Sequence, residues 1–130
     1  MIVCIGSTIG NFKNQDEIFS LFSNNLNKGD KLLLDFQLNT YLEQTFKKYK
    51  INKFYPQFGV FWEKFDENKI KWILNKDNFI TLYYNNIDVF RSKKYSLEEV
   101  INYCKKHNLN YLNSWKDKYN NSCIAIFEKK

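Results

Sequence analysis

The sequence predicts an α/β fold in which a mostly parallel sheet carries an antiparallel meander and ends in an antiparallel hairpin. Three observations predict it. A strand-like run, a glycine-bearing loop, a helical pattern and a second strand-like run follow one another over residues 2–37. The middle of the chain turns aromatic and β-branched, with polar turns between short runs. The last two strand-like runs are joined by a connection too short for parallel strands.

Ile2-Val3-Cys4-Ile5 is apolar at every position, the pattern of a short strand buried on both faces of a parallel sheet. Residues 6–12 then make a loop containing Gly6 and Gly10. Asn14 opens a helix, and Glu17 lies three residues on in a capping-box arrangement worth about 1 kcal/mol. Ile18, Leu21, Phe22 and Leu26 mark its buried stripe, and Gly29 is expected to end it. Residues 31–37 form the next strand, with Leu32, Leu33 and Leu34 again apolar on both faces. This is a βαβ unit, which crosses over right-handed. Residues 40–50 read as another helix through Tyr41, Leu42, Phe46 and Tyr49.

Residues 58–65, 69–75 and 79–84 are strand-like, with Asp66-Glu67-Asn68 and Lys76-Asp77-Asn78 as turns, and residues 87–90 suggest a short further strand. Ser96 caps the next helix with Glu99 as box partner; Leu97, Val100, Ile101 and Cys104 follow at helical spacing. Residues 109–115 and 122–127 close the chain as strands around a polar turn at 117–121. The expected organisation is one partial domain: a βαβα unit over 1–50, an inserted meander over 51–90, and a final helix and hairpin over 91–130.

A chain of 130 residues holds one domain with a real core. Twelve Phe, nine Tyr and three Trp argue against disorder, because burying large apolar side chains offsets ordering entropy. No apolar run reaches the roughly 20 residues that span a bilayer, and residues 1–15 lack the pattern of a secretory signal. A cytoplasmic protein with no membrane association is expected. Cys4, Cys104 and Cys123 are odd in number, widely spaced and without a CxxC pair. With His107 the single histidine, they read as reduced, mostly buried thiols, and no metal site is expected.

The net charge of +6 raises the question of nucleic acid. The lysines, however, are spread along the chain: Lys47, Lys48 and Lys50, then Lys93 and Lys94, Lys105 and Lys106, Lys129 and Lys130. They read as solvated surface, and no nucleic-acid partner is expected.

In open α/β sheets, ligands bind outside the carboxyl ends of the strands. Gly6 lies at such an end, Asn11 offers both a donor and an acceptor, and the helix opening at Asn14 adds exposed N–H groups. A turn merely shaped by Gly6 and Gly10 and closed by Asn11 fits the spacing equally well. GxxxxGK[ST] and GxGxxG are both absent, so a phosphate loop does not fit. His107 stands at a helix end among lysines, as a surface residue near the negative terminus, and Glu98 and Glu99 offset the dipole at the helix start. Neither points to catalysis.

The run Ile5-Gly6-Ser7-Thr8-Ile9-Gly10-Asn11-Phe12 resembles the segment after the fourth sheet strand in histidine-specific S-adenosylmethionine-dependent methyltransferases, the family that includes the ergothioneine-pathway enzyme. Gly29-Asp30-Lys31-Leu32-Leu33-Leu34 resembles the family's GD-x-LLL lead-in to the next strand, Ser92-Lys93-Lys94-Tyr95-Ser96 its S-x-K-[YF]-S segment, and Trp115-Lys116-Asp117 its W-x-D turn. The four matches stand in the family's order and cover nearly the whole chain. They correspond to the family's C-terminal half.

The resemblance implies a doubly wound Rossmann-like methyltransferase sheet and methyl transfer from S-adenosylmethionine to an amino acid or related amine. By resemblance, Asn11 contacts the substrate's amino group, Phe90, Arg91 and Ser92 occupy the next substrate-contacting positions, and Gly6 and Ser7 border the cofactor. Members that methylate histidine carry Glu where this chain has Phe90, and an aromatic ring cannot accept an N–H hydrogen bond as a carboxylate does. The family's cofactor is held chiefly by the first sheet strands, and no counterpart of them follows Met1. The cofactor site is therefore expected to be incomplete, with no catalytic base and no independent activity. Residues 2–5 would then be an exposed sheet edge. The implied partner is a separate N-terminal half, or a second copy pairing through that strand. The alternative is a non-catalytic remnant or binding module that uses the same edge.

Overall fold

The apolar runs at 2–5 and 31–37 become neighbouring parallel strands, with Ile2 opposite Leu32 and Cys4 opposite Leu34. The computed structural model describes residues 1–51 and 66–130. In chain order the elements are β1 (Ile2–Cys4), α1 (Gln15–Asn24), β2 (Lys31–Gln37), α2 (Leu42–Ile51), β3 (Ile70–Leu74), β4 (Phe79–Tyr84), β5 (Ile87–Lys93), α3 (Leu97–Lys106), β6 (Leu109–Lys116) and β7 (Ser122–Lys129). The strand expected over 58–65 lies outside the described residues.

Two sheets result. One is four-stranded in the order β1-β2-β7-β6, and the other is the three-stranded meander β3-β4-β5. The expectation of a mostly parallel sheet needs correction. Only β1 and β2 run parallel, because the closing hairpin inserts β7 antiparallel beside β2, from Lys31 opposite Glu128 to Gln37 opposite Ser122. The meander, read from its aromatic runs and turns, is antiparallel throughout, and β5 runs longer than the short strand expected.

The core lies on one face of the four-stranded sheet. Leu32, Leu34 and Phe36 of β2 and Cys123, Ala125 and Phe127 of β7 pack against Ile18, Phe19 and Phe22 of α1 and Val100 and Cys104 of α3. Fully burying each large side chain here is worth roughly 1.5–3 kcal/mol. Phe19 stacks on Tyr103 with ring centroids 5.0 Å apart, which fixes α1 against α3.

The opposite face overturns a second expectation. Val3 is 49% exposed and Ile5 63%, and Leu33 is only half-buried, so neither apolar run is buried on both sides. Uniform apolarity signals two covering layers, and in this chain α1 and α3 cover one face. Val3 pairs with Leu33, and Leu33 in turn lies opposite Ile126, so these residues form an apolar row across the uncovered face.

Both expected helix starts form: Asn14 Oδ1 accepts from Glu17 N at 3.3 Å and Ser96 Oγ from Glu99 N at 3.0 Å. The reciprocal half of the second box is replaced, because the Glu99 carboxylate pairs with Lys93 Nζ at 2.8 Å. Helix α1 ends earlier than Gly29, since Asn25 turns its own amide onto Leu21 O at 2.8 Å. Gly29 instead takes a φ of +85° in the turn before β2. No helix among the described residues is long and apolar enough to cross a membrane.

Candidate functional site

The loop after β1 is built around one carboxylate. Gly6 and Ser7 both have left-handed backbones, φ +78° and +57°, which turn their successive N–H groups to one side. Asp35 Oδ2 on β2 fills that concavity, accepting from Gly6 N at 3.0 Å and Ser7 N at 3.2 Å. A short 3-10 turn, residues Thr8–Asn11, follows.

The far end of this loop is held by β5 and the segment after it. A Cβ on Gly10 would lie 2.6 Å from the Lys93 carbonyl oxygen, so only glycine permits this approach. Buried Tyr95 shares its hydroxyl proton between Ile9 O, at 3.0 Å, and the side-chain Oε1 of Gln15, while Gln15 Nε2 donates to Phe12 O at 2.6 Å. Burial pushes the Tyr95 phenol far above its ordinary range, so it acts as a fixed donor. Two of the motifs that carried the sequence resemblance, 5–12 and 92–96, are therefore in direct contact.

The carboxyl ends of β1 and β2 open onto a cavity of about 390 Å³. Ser7, Asp35, Gln37, Thr45, Lys48, Lys94, Asn121 and Ser122 supply its polar lining. The β6–β7 turn reaches it because Asp117 Oδ1 accepts from Asn121 N at 2.6 Å and Ser122 N at 3.2 Å. Lys94 is only 1% exposed. Its ammonium donates to Ser92 Oγ at 2.8 Å, to Tyr49 OH at 3.2 Å and to Gln37 Oε1. Burial lowers its pKa to about 8.

The residues expected at a site from sequence fall into four groups. Ser7 and Ser92 belong to this network, Ser7 on the cavity wall and Ser92 as a hydrogen-bond acceptor for Lys94. Gly6 lies behind the wall with its amide turned to Asp35. Asn11 is exposed on the outer end of the loop. Arg91 pairs with Asp88 three residues away, and Phe90 packs with Tyr49 and Trp72 at centroid separations of 6.1 and 6.4 Å.

Lys94, Gln37 and Asp35 are cavity residues that sequence reasoning missed. The surface reading of the lysines fails at two positions: Lys93, the last residue of β5, is buried against Asp77 and Glu99, and Lys94, the next residue, against Gln37, Tyr49 and Ser92. The available signal was their place in the S-x-K-[YF]-S match, directly before a helix cap. His107 is also less exposed than expected; it caps α3 and contacts Asp16 Oδ1 at 3.0 Å. The three cysteines are free, and burial raises the pKa of each.

No protein-family model and no curated protein matches the chain. Solved structures do. An S-adenosylmethionine-dependent methyltransferase from Clostridium acetobutylicum ATCC 824 superposes with a TM-score of 0.58 at 15% identity, over 98% of this chain and 57% of that one. A protein from Pyrococcus horikoshii OT3 superposes with a TM-score of 0.55 at 13% identity, over 99% of this chain and 53% of that one. The chain thus spans a little more than half the length of the solved structures it matches. At these identities the likeness concerns architecture: the chain has an α/β, Rossmann-like fold, with an antiparallel meander and a closing hairpin.

Proposed function

We propose that the chain is the substrate-facing half of an S-adenosylmethionine-dependent N-methyltransferase that acts on an amino acid or related amine. The observation that supports this reading is the polar cavity at the carboxyl ends of β1 and β2. Ligands of open α/β sheets bind at that place. Within this reading, Asn11 and Ser92 lie at the ends of the two segments that Gly10 and Tyr95 hold together. Methyl transfer is an in-line displacement, so positioning and exclusion of water by such segments supply most of what a substrate half contributes.

In this reading the described residues supply only part of a site for the methyl donor. The Gly6 and Ser7 amides, the donors that border the expected cofactor position, are already taken by Asp35. The N-terminus of α1 is capped by Asn14 and carries Asp16 and Glu17 in its first turn. A complementary α/β segment, on the same or another polypeptide, would supply the cofactor contacts and pair along β1. The Phe90 ring, packed with Tyr49 and Trp72, favours an acceptor other than an imidazole.

The second reading, a binding module, draws on the uncovered face, where Val3 of the edge strand β1, which carries no charged residue, and Ile5 just after it are exposed. A fusion separates the two. The chain is joined to the part of the Clostridium acetobutylicum methyltransferase outside the match, then given methyl-tritiated S-adenosylmethionine and a panel of amino acids and amines. Label in one of the amines is expected. A folded fusion that binds S-adenosylmethionine yet labels none of them would contradict the methyltransferase reading.

A further inference from the structure

We infer that the cavity at the carboxyl ends of β1 and β2 is a site for a small monoanionic carboxylate, held by the positive charge of Lys94 and by the donors that this lysine orients. The inference deepens the substrate reading above and rests on the same cavity.

Adjacent lysines in nearly equal burial are treated differently by the fold. Lys93, 4% exposed, meets the Glu99 carboxylate at 2.8 Å and donates to Asp77 O at 2.6 Å. Lys94 meets no carboxylate among the described residues; its partners are the neutral oxygens of Gln37, Tyr49 and Ser92, with the Tyr49 ring 5.2 Å away. Those acceptors occupy all three donors of the ammonium. Hydrogen bonding is therefore satisfied and charge is not, which is costly for a buried cation. The lowered pKa is the same cost seen from the proton's side.

The acceptors also convert this charge into a donor surface. Gln37 gives its carbonyl oxygen to Lys94, so its NH₂ group is left for the cavity that Gln37 lines. Ser7, Thr45 and Ser122 hydroxyls and the Asn121 amide line the same space, together with the Lys48 ammonium. Among the described residues Asp35 is the one carboxylate on the wall, and its Oδ2 is committed to the loop amides. Two ammonium groups against one carboxylate leave a single positive charge to neutralise. A carboxylate does so; a phosphate dianion would leave excess negative charge beside Asp35.

The test is a titration of the ¹⁵N-labelled full chain, followed by NMR, with sodium acetate, inorganic phosphate and sodium chloride at matched ionic strength. Saturable acetate shifts are expected at the Gln37 side-chain NH₂ and at the Ser7, Asn121 and Ser122 amides. Lys94→Met should weaken acetate about tenfold, because the buried charge is removed. Lys94→Gln, which keeps a polar group against Ser92 and Tyr49, gives the same reading if the methionine variant does not fold. Equal shifts with chloride, tighter binding of phosphate than acetate, or unchanged acetate affinity in both variants would overturn the inference. The titration contains no methyl donor, so failure here and failure of the methyl-transfer assay are separate results.

Discussion

Gly10 carries the tightest constraint in the loop, since its missing Cβ makes room for the Lys93 carbonyl. Gly10→Ala should destabilise the protein by about 1–3 kcal/mol, the usual cost of overpacking. The expected signature is a lower urea midpoint at unchanged m-value. Lys94 gives a second prediction, with a definite sign. Its folded pKa is about 8 against 10.5 for a free lysine, so between those values the unfolded chain binds more protons. Stability of the wild type relative to Lys94→Met should therefore rise as pH rises from about 8 to 10.5. Among the described residues the charged or titratable groups around it are Tyr49 and Lys48 of α2 and Asp35 of β2. A flat difference across that window would mean that Lys94 is not held as a desolvated cation. Sequence alone made Gly10 visible as a loop glycine. It hid Lys94, because lysine reads as surface by default and the contacts that bury this one come from Gln37 and Tyr49, distant in sequence.

The helix α3 shows which elements sequence renders best. Ser96, Leu97, Val100 and Cys104 set its start and its buried face through local rules, and all act as expected. Ser96→Ala should cost about 1 kcal/mol, read as a lower thermal or urea midpoint. Asp16 ties the start of α1 to the end of α3. Hydrogen bonds from Lys106 and His107 hold its carboxyl below the usual range. The stability from this tie is present at neutral pH and lost as pH falls through the depressed pKa, so Asp16→Asn should flatten the acid limb of the stability curve. The strand β1 shows the opposite case. Its apolar letters are correct for a strand, yet they specify two covered faces, and the four-stranded sheet presents only one. The aromatic packing of Phe90 was equally illegible, because Tyr49 and Trp72 reach it from α2 and β3.

At the scale of the whole molecule, the order β1-β2-β7-β6 leaves β1 at an edge, with Val3, Leu33 and Ile126 in a row on the uncovered face. The solved neighbours extend well beyond the matched region. Covering that face and supplying cofactor contacts are the two things the proposed complementary segment would do. The expectation of a Rossmann-like sheet closing in an antiparallel hairpin came from the order of four motifs, and the parallel β1–β2 pair and the β6–β7 hairpin both fit it. The placement of β7 beside β2 was not readable, since strand order depends on long-range pairing that local patterns do not encode. Calorimetric titration of S-adenosylmethionine into the chain alone tests the division of labour most directly. No saturable binding tighter than about millimolar is expected, equivalent to roughly −4 kcal/mol. Micromolar binding would contradict it, and would mean that these residues already form a cofactor site of their own.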